Sequence, residues 1–311
     1  MNEQQFTQPL VSIIIPVYND SERLDKCLQQ LEKQNYPQDK YEVIVVDNGS
    51  EESIESVVKN YTQAKVAIET KSGSYAARNK GISLAQGEII AFTDADCIPN
   101  LDWIEKGVYH LLKNDNCGLV GGNINFIYRD DNQRNSVELY DTIHEFQQEF
   151  SIKVQNFSVT ANLFTFKKIL DDVGYFDSDL KSSGDRNWGE RVAKKGYKLI
   201  YAEDVCISHP ARSSLSEIYK KTIRIIDGVE DVRQKKNLAE KLTLKQKYNL
   251  FYKHIVMDFF PLKNIIRILK ESKLNNLIDK IKVIGVLFFV RYTRNWERLR
   301  LRLGKSVREK W

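Results

Sequence analysis

The sequence predicts an α/β protein in which a doubly wound, mostly parallel sheet is followed by a helical, basic C-terminal extension. Three observations support this prediction. Short apolar runs alternate with amphipathic segments early in the chain, as in strands joined by crossover helices. Polar residues directly follow several of the apolar runs, where ligands bind in such sheets. Cations are concentrated in the C-terminal third.

The uneven charge predicts two regions. The 311-residue chain carries 47 Lys and Arg against 42 Asp and Glu, a net charge of +5. Residues 213–311 contain 24 Lys and Arg but only 10 Asp and Glu, which is +14 and leaves −9 for residues 1–212. We therefore expect an α/β domain over residues 1–212 and a helical basic region over residues 213–311.

The first ninety residues predict a β-α-β-α-β-α-β order. The strand predictions rest on continuously apolar runs, which are typical of strands buried on both faces. They cover Leu10–Ile15, Tyr41–Val46, Ala64–Ile68 and Glu88–Thr93. The intervening helices rest on apolar residues at helical spacing. They cover Asp20 or Ser21 to about Gln34, Ile54–Tyr61 and Tyr75–Ala85.

Beyond the fourth strand the predicted order is less regular. Helices are predicted at Trp103–Leu112, Ser136 to about Lys153 and Ser183–Ala193, and strands at Gly118–Tyr128, Val159–Phe166, Tyr197–Ala202 and Val205–Ser208. A capping box at Ser214 and Glu217 begins a helical region that extends to the end of the chain, with a break at Pro261.

Two carboxylates, Asp94 and Asp96, end the fourth strand with one residue between them. In extended chain, residues i and i+2 point to the same side. Two like charges at a buried strand end repel and lose hydration, so a shared cation would stabilise them. All-oxygen ligation suits Mg²⁺ or Mn²⁺. The alternative is an Asp-rich turn that caps a helix beginning near Pro99.

Five further segments share an order with a known family. They are Val11–Asn19 (VSIIIPVYN), Val45–Ser50 (VVDNGS), Ala77–Ile82 (ARNKGI), Gly87–Asp96 (GEIIAFTDAD) and Val173–Asp177 (VGYFD). With these segments the chain resembles the inverting family 2 glycosyltransferases of the GT-A fold over about Val11–Arg212. Gly184 and Asp185 stand where such enzymes carry an acidic base motif, although Ser183 replaces the acidic residue often found before the base.

The resemblance implies roles for particular residues. Asp185 would be the catalytic base. The nucleotide site would include Pro16, Val17, Tyr18, Asn19, Asp47, Gly49, Arg78, Asn79 and Asp94. Asp94 and Asp96 would bind the metal, and His209 lies where such enzymes place a further metal-side or phosphate-side residue.

Each role has a structural alternative. Asp47 could serve only in a turn, Arg78 could be a surface charge, Asp185 could be an ordinary helix cap, and His209 could be a structural histidine at a strand end. Trp188 is expected to pack in the core rather than stack on an acceptor. Cys97 is also expected to be a packing residue, because hard cations prefer oxygen.

The implied reaction is transfer of a hexose from a nucleotide sugar, a UDP-sugar by expectation, to a glycan or lipid-linked glycan. A divalent metal, Mg²⁺ or Mn²⁺, would neutralise the departing diphosphate, and one carboxylate would deprotonate the acceptor. The alternatives are a nucleotidyltransferase, whose Gly-rich loop after the first strand is missing, and a non-catalytic nucleotide-sugar binder or scaffold. No nucleic acid partner is expected, because the tail has no recognition motif.

A cytoplasmic location is expected, since the four cysteines are scattered and no secretory signal or membrane-spanning run is evident. The tail nevertheless contains an eight-residue apolar run, Val283–Val290, followed by several arginines. Two interpretations remain open. The segment Ile281–Trp296 lies on an anionic membrane surface at the inner face, or the run is a core helix.

Overall fold

The computed structural model describes residues 8–239, 261–272, 274 and 276–302, without the side chains of residues 230–239 and 302. The chain divides into two compact units. The first, here called the sheet unit, comprises Met1–Ile127, Phe146–Leu180 and Gly184–Pro210. The second, the helical unit, comprises Tyr128–Glu145, Lys181–Ser183 and Ala211–Trp311. The domain boundary predicted after residue 212 stays a prediction. In the structure, the helical unit also includes the two earlier segments Tyr128–Glu145 and Lys181–Ser183.

The sheet unit is built on eight strands. They are β1 (Val11–Val17), β2 (Tyr41–Asp47), β3 (Ala64–Ile68), β4 (Ile89–Thr93), β5 (Ile98–Pro99), β6 (Cys117–Ile127), β7 (Asn162–Phe166) and β8 (Lys198–Pro210). Their order in the sheet is β3-β2-β1-β4-β7-β6-β8-β5. The first four neighbours pair in parallel, as do β6 and β8, whereas β7 is antiparallel to both of its neighbours. The predicted α/β fold with a mostly parallel sheet is confirmed.

The helices follow the sequence periodicity in most places. They are α1 (Ser21–Leu31), α2 (Glu55–Val58), α3 (Ser74–Leu84), α4 (Trp103–Lys113), α5 (Ser136–His144), α6 (Gln148–Gln155), α7 (Lys167–Val173), α8 (Gly184–Lys194), α9 (Leu215–Ala239), α10 (Leu262–Lys270) and α11 (Leu277–Arg302). A 3-10 turn, Gln38–Lys40, precedes β2. The predicted break at Pro261 coincides with the N-terminus of α10, and residues 240–260 lie outside the described part of the chain.

Three predicted elements were wrong in detail. The single helix from Ser136 to Lys153 is two helices, because Phe146 between α5 and α6 has a φ of 47°, outside the helical region. The two predicted strands after Tyr197 form one strand, β8, which stays continuous across an irregularity in its register with β6. The helix predicted over Ile54–Tyr61 is shorter, because α2 covers only Glu55–Val58, whereas the helix predicted at Trp103–Leu112 is confirmed as α4.

The C-terminal apolar run lies in the core of the helical unit. Val283, Val286, Leu287 and Val290 on one face of α11 are at most 5% exposed. They pack in a cluster with apolar residues of α5, α9 and α10. One face of α11 is therefore buried within the helical unit, and packing of the run against the catalytic domain stays a prediction. Within the described residues, none of the helices combines the length and apolar character needed to cross a membrane.

Candidate active site

The polar strand ends meet at one edge of the sheet unit. β1 pairs in parallel with β2 and with β4, and Val17 is opposite Asp47 in the register. The carboxyl ends of all three strands therefore lie side by side, as the alternating pattern predicted. Thr93 ends β4 fully buried, and Asp94 follows it directly.

Asp94 and Asp96 lie in a turn rather than in extended chain. Cys97 N donates to Asp94 O at 3.0 Å, which closes the turn. The extended-chain rule therefore does not apply to them, and each carboxylate has its own partners: Arg78 for Asp94, and His209 and Arg23 for Asp96. Cys97 is a packing residue as predicted, fully buried, and burial raises the pKa of its thiol well above the usual value.

Asp94 is paired with a buried arginine. Arg78 Nη2 of α3 donates to Asp94 Oδ1 at 2.5 Å, and the arginine is 4% exposed. The alternative of a surface charge at Arg78 is therefore wrong. A buried guanidinium needs a counter-ion, and Asp94 supplies it, so one carboxylate oxygen is committed to the pair. Arg78 Nε is buried and has no hydrogen-bond partner, an orphaned donor that a bound anion would satisfy.

Asp96 faces a histidine. His209 Nε2 lies 3.3 Å from Asp96 Oδ2, and His209 Nδ1 lies 2.7 Å from Pro210 O. Because a carbonyl oxygen only accepts, Nδ1 must carry a proton. In the neutral ring, His209 Nε2 then presents a lone pair to Asp96 Oδ2. Because both atoms are acceptors, a proton or a cation between them would stabilise the contact. The ring is 5% exposed and packs against Phe146.

Arg23 is a further contact of Asp96 that the sequence reasoning missed. Its Nη1 lies 3.8 Å from Asp96 Oδ2, and its Nε donates to Asp20 Oδ1 at 2.7 Å. Arg23 lies one turn into α1, directly after the β1 loop. The sequence did offer a signal for Arg23: a cation in the first turn of a helix that follows a predicted ligand-binding loop.

The donor set fits a hard divalent cation. Asp96 Oδ2 and His209 Nε2 are adjacent, and Asp94 retains an uncommitted oxygen. Among the described residues no group of three or more His, Cys, Asp and Glu side chains is arranged to hold a metal ion. Two protein ligands, with the remaining positions filled by water and substrate phosphate, are usual for Mg²⁺ and Mn²⁺ in nucleotide sites.

The loops after β1 and β2 are held together by short polar contacts. Asp47 Oδ1 accepts a hydrogen bond from Ser50 N at 2.9 Å, so Asp47 does serve in the turn. The second carboxylate oxygen of Asp47 is not used in this contact. Asn19 N donates to Ser50 Oγ at 2.9 Å. Asn19 and Gly49 both have positive φ values, 48° and 87°. These contacts join the two loops into one polar surface at the strand ends, which we call the floor of the site.

The predicted nucleoside loop is only partly exposed. Tyr18 is 54% exposed, but Val17 is 3% exposed and packs in the main core. Pro16 belongs to β1, opposite Val46. The Val17 side chain therefore faces away from the crevice, and Tyr18 and Asn19 are the residues of this segment that present side chains at the surface.

Asn48, which the sequence reasoning did not select, ties down the segment before α3. Its Nδ2 donates to Glu69 O and Lys71 O, each at 2.8 Å, and its Oδ1 accepts from Gly73 N at 2.7 Å. Gly73 has a φ of 126°, a conformation that favours glycine. The Asn48 side chain therefore fixes the position of the segment just before α3, the helix that carries Arg78.

Asn79 holds the VGYFD segment. Its Nδ2 donates to Phe176 O at 2.8 Å, and its Oδ1 accepts from Phe176 N at 3.1 Å. The amide is therefore occupied by backbone, and direct contact of Asn79 with a nucleotide stays a prediction that this geometry does not support. Trp188 is fully buried and donates to Gly174 O at 3.0 Å, which confirms its expected packing role.

Asp185 lies in the first turn of α8. Arg186 N donates to Asp185 Oδ1 at 2.9 Å, and Tyr75 Oη donates to the same oxygen at 3.3 Å. A Cβ on Gly184 would lie 2.7 Å from the Tyr75 ring, so only glycine allows this approach. Burial raises the pKa of Asp185 above its ordinary value, partly offset by the Arg186 N–H and the charge of Arg78.

Contacts connect the two carboxylate centres. Arg78 pairs with Asp94, and its guanidinium lies 5.7 Å from the centre of the Tyr75 ring. Tyr75 in turn contacts Asp185. The sequence reasoning missed Tyr75, although its position three residues before Arg78 on one helix was a usable signal. The strand-end site and the α8 carboxylate are thus neighbours across one side of α3.

Comparison with protein families decides the assignment. Residues 12–174, more than half of the chain, match Glycosyl transferase family 2. The chain belongs to this family. The resemblance inferred from the motifs is confirmed, and the chain is a glycosyltransferase rather than a nucleotidyltransferase or a scaffold.

Relatives of this family 2 chain come from archaea and bacteria. Glycosyltransferase AglE of Haloferax volcanii is 42% identical over 260 residues, which is 82% of this chain and 83% of that protein. The dolichyl N-acetyl-alpha-D-glucosaminyl phosphate 3-beta-D-2,3-diacetamido-2,3-dideoxy-beta-D-glucuronosyltransferase of Methanococcus voltae is 27% identical over 226 residues, covering 68% and 70% of the two chains.

Solved structures show the same fold. The mannosyltransferase PcManGT from Pyrobaculum calidifontis, in complex with GDP-Man and Mn²⁺, superimposes with a TM-score of 0.64 at 18% identity, covering 97% of this chain and 89% of that one. S. aureus TarS 1–349 superimposes with a TM-score of 0.52 at 16% identity, covering 96% and 93%. At these identities the likeness establishes the GT-A fold.

Proposed function

We propose that this family 2 glycosyltransferase is a metal-dependent, inverting hexosyltransferase that moves a sugar from a nucleotide sugar to a lipid-linked glycan. The observation that carries the proposal is the pair of carboxylate centres linked through Arg78 and Tyr75. One centre, Asp96 with His209, offers two adjacent lone-pair donors. The other, Asp185, is a carboxylate whose pKa is raised by burial. Their different surroundings suit different roles.

The nucleoside would lie on the floor formed by the loops after β1 and β2. Asp47 keeps one oxygen beyond its turn contact for a base or ribose, and Tyr18 is exposed beside it. The proposed donor is a UDP-sugar. TarS has been solved in complex with UDP, whereas PcManGT holds GDP-Man, so both nucleotides belong in any test.

The diphosphate would lie between Asp96 and α3. Asp96, His209 and the second oxygen of Asp94 would hold a divalent cation, which when bound acts as a Lewis acid that neutralises the leaving diphosphate. Arg78 orients Asp94 through their ion pair, and its buried Nε is placed to donate to an anion. His209 is oriented by Pro210 O.

The acceptor would be activated by Asp185. Its carboxylate takes the proton of the acceptor hydroxyl while that oxygen attacks the anomeric carbon and the bond to the diphosphate breaks. A single displacement of this kind inverts the anomeric centre and needs one base. The raised pKa brings Asp185 closer to the operating pH, which favours proton acceptance, and Arg186 N and Tyr75 Oη fix its orientation.

The acceptor is proposed to be lipid-linked, at the cytoplasmic membrane face. The support is the name of the Methanococcus voltae relative, which describes transfer to a dolichyl phosphate-linked sugar. The basic C-terminal region, with 24 Lys and Arg against 10 Asp and Glu, supports a location near an anionic surface.

A donor screen tests this function. Purified protein is incubated with UDP- and GDP-sugars, with Mg²⁺, Mn²⁺ or chelator, and with or without a lipid-linked glycan acceptor. We expect release of a nucleoside diphosphate from one donor, requiring the metal and accelerated by the acceptor. Asp115→Asn, a change at an exposed loop residue, serves as the control variant. Release independent of metal, or no release from any donor by folded protein, would contradict the proposal.

A further inference from the structure

The exposed face of α11 is as apolar as its buried face. The exposed residues recur every three or four positions: Ile278, Ile281, Gly285, Phe288, Tyr292, Trp296 and Leu299. We call this row the α11 stripe. Apart from Gly285, its members are between 40% and 67% exposed. Residues at this spacing share one side of a helix, so the stripe is continuous.

The α11 stripe is large for an uncovered surface. From Ile278 to Leu299 it extends about 32 Å along the helix at 1.5 Å per residue. A Cβ on Gly285 would meet no atom of the described residues within 4 Å, so none of these covers the middle of the stripe. Long exposed apolar patches on soluble proteins mark interaction surfaces. Neighbouring α10 repeats the pattern, with Leu262, Ile266 and Leu269 exposed.

Cations border the stripe on both sides. At 100° per residue, Lys282 and Arg300 fall along one border, and Arg291 and Arg298 fall along the other. The two acidic residues of α11 are elsewhere. Asp279 accepts from Asn276 at the start of the helix, and Glu297 is 1% exposed and bound to Arg300. The exposed side of α11 therefore combines an apolar centre with positive borders.

We propose that the α11 stripe docks on an anionic lipid bilayer, with the helix lying in the plane of the interface. An interfacial helix of this class has a strong apolar face, cationic borders and large aromatic residues at headgroup depth. Phe288, Tyr292 and Trp296 supply the aromatic residues. The cations lie beside them, where lipid phosphates would be. The proposed attachment is by this interfacial helix.

Charge favours a bilayer over a second copy of the chain. An antiparallel or parallel pair of α11 stripes would bring cationic borders against cationic borders, because the exposed side offers no acidic partner. Paired helices of this kind normally place opposite charges at these positions. An anionic bilayer would place phosphates along both borders, while Arg300 keeps its bond to Glu297 and Arg291 its bond to Asn264. The inference rests on the membrane-face location in the proposed function and deepens it by naming the surface that binds; it does not depend on the transfer chemistry.

Vesicle co-sedimentation of the full chain tests the docking. We expect the protein to pellet with phosphatidylglycerol vesicles at low salt, and to pellet less at high salt and with phosphatidylcholine alone, because salt screens the cations. Phe288→Ser with Trp296→Ser should lower vesicle affinity about tenfold or more, since two apolar side chains no longer leave water. The matched control is Phe150→Ser on α6, where Phe150 is 49% exposed against 45% for Phe288.

Fluorescence provides a second readout. Trp103 and Trp188 are fully buried, so in a Trp311→Phe background the change in emission on adding vesicles reports Trp296. Brominated lipid should quench it. Failure of folded wild-type protein to bind anionic vesicles at low salt would overturn the proposal, as would equal binding by the stripe variant. A dimer in sedimentation velocity that the stripe changes abolish would assign the stripe to a second copy instead. Transfer to a soluble acceptor, measured without vesicles, reports the proposed function separately.

Discussion

Asp185→Asn is expected to lower the transfer rate by about 10²-fold or more while leaving donor binding unchanged, the usual cost of losing a positioned general base. The amide preserves the shape of the side chain and can still accept from Arg186 N, but it cannot take a proton from the acceptor. Initial rates at saturating donor and acceptor, with donor affinity measured by calorimetry, check this. Asp115→Asn at an exposed loop position should behave like the wild type.

The pH profile adds an independent test of Asp185. The base must be ionised, so activity falls as the pH drops through its folded-state pKa. Because burial raises that pKa, the acid limb of kcat/KM should lie above the range of an ordinary aspartate and disappear in Asp185→Asn. Unchanged turnover at saturating acceptor would place the base elsewhere.

The pH dependence of folding stability should be opposite to that of activity: ionisation of Asp185 raises activity but lowers the stability of the folded protein. A carboxyl group whose pKa is raised by folding favours the folded state at low pH, and that contribution is lost as the pH rises through the folded-state pKa. Ionisation of Asp185 is therefore less favourable in the folded protein than in the unfolded chain. Asp185→Asn is expected to melt at or above the wild-type temperature at pH 7, and this distinguishes a lost catalytic group from a damaged fold.

Asp96→Asn is expected to abolish transfer and metal-dependent donor binding while the protein remains folded. The amide removes the negative charge that faces His209 Nε2, so the site loses a charged ligand for the proposed cation. Asp94→Asn should differ, because it leaves the buried Arg78 without its counter-ion. We expect it to lower the free energy of unfolding by about 1–3 kcal/mol as well as activity.

Thermal melts with and without Mn²⁺ and donor separate the two aspartates. The wild type should gain stability when both ligands are added, in proportion to their binding. Asp96→Asn should melt like the unliganded wild type and gain nothing from the ligands, whereas Asp94→Asn should melt lower before any ligand is added. Full activity and a normal ligand-induced shift in Asp96→Asn would remove it from the metal site.

The parts of the fold that sequence predicted well depend on local pattern. β1, β2 and β4 are buried on both faces, so their continuous apolar runs were unambiguous. Because parallel strands end at one edge, the positions of Asp47 and Asp94 followed from topology. The break between α5 and α6 was not visible, because it depends on one residue, Phe146, adopting a positive φ.

The site was less predictable where contacts join distant segments. The i, i+2 rule assumed extended chain at Asp94 and Asp96, but the chain turns directly after β4, so the partners of each carboxylate could not be read from strand periodicity. Arg78 carries a charge, which normally indicates a surface position, and its burial follows only from the pairing with Asp94. Tyr75 contacts Asp185 across 110 residues of sequence, a link that no local pattern encodes.

The anomeric configuration of the product tests the central claim most directly. With the donor identified by the screen, proton NMR during turnover reports whether the new glycosidic bond has the opposite configuration to the donor. The proposed roles, one base at Asp185 and a cation held by Asp96 and His209, predict inversion. An α-linked donor should give a β-linked product from the first turnover onward. A product that retains the donor configuration would contradict single displacement and the role assigned to Asp185.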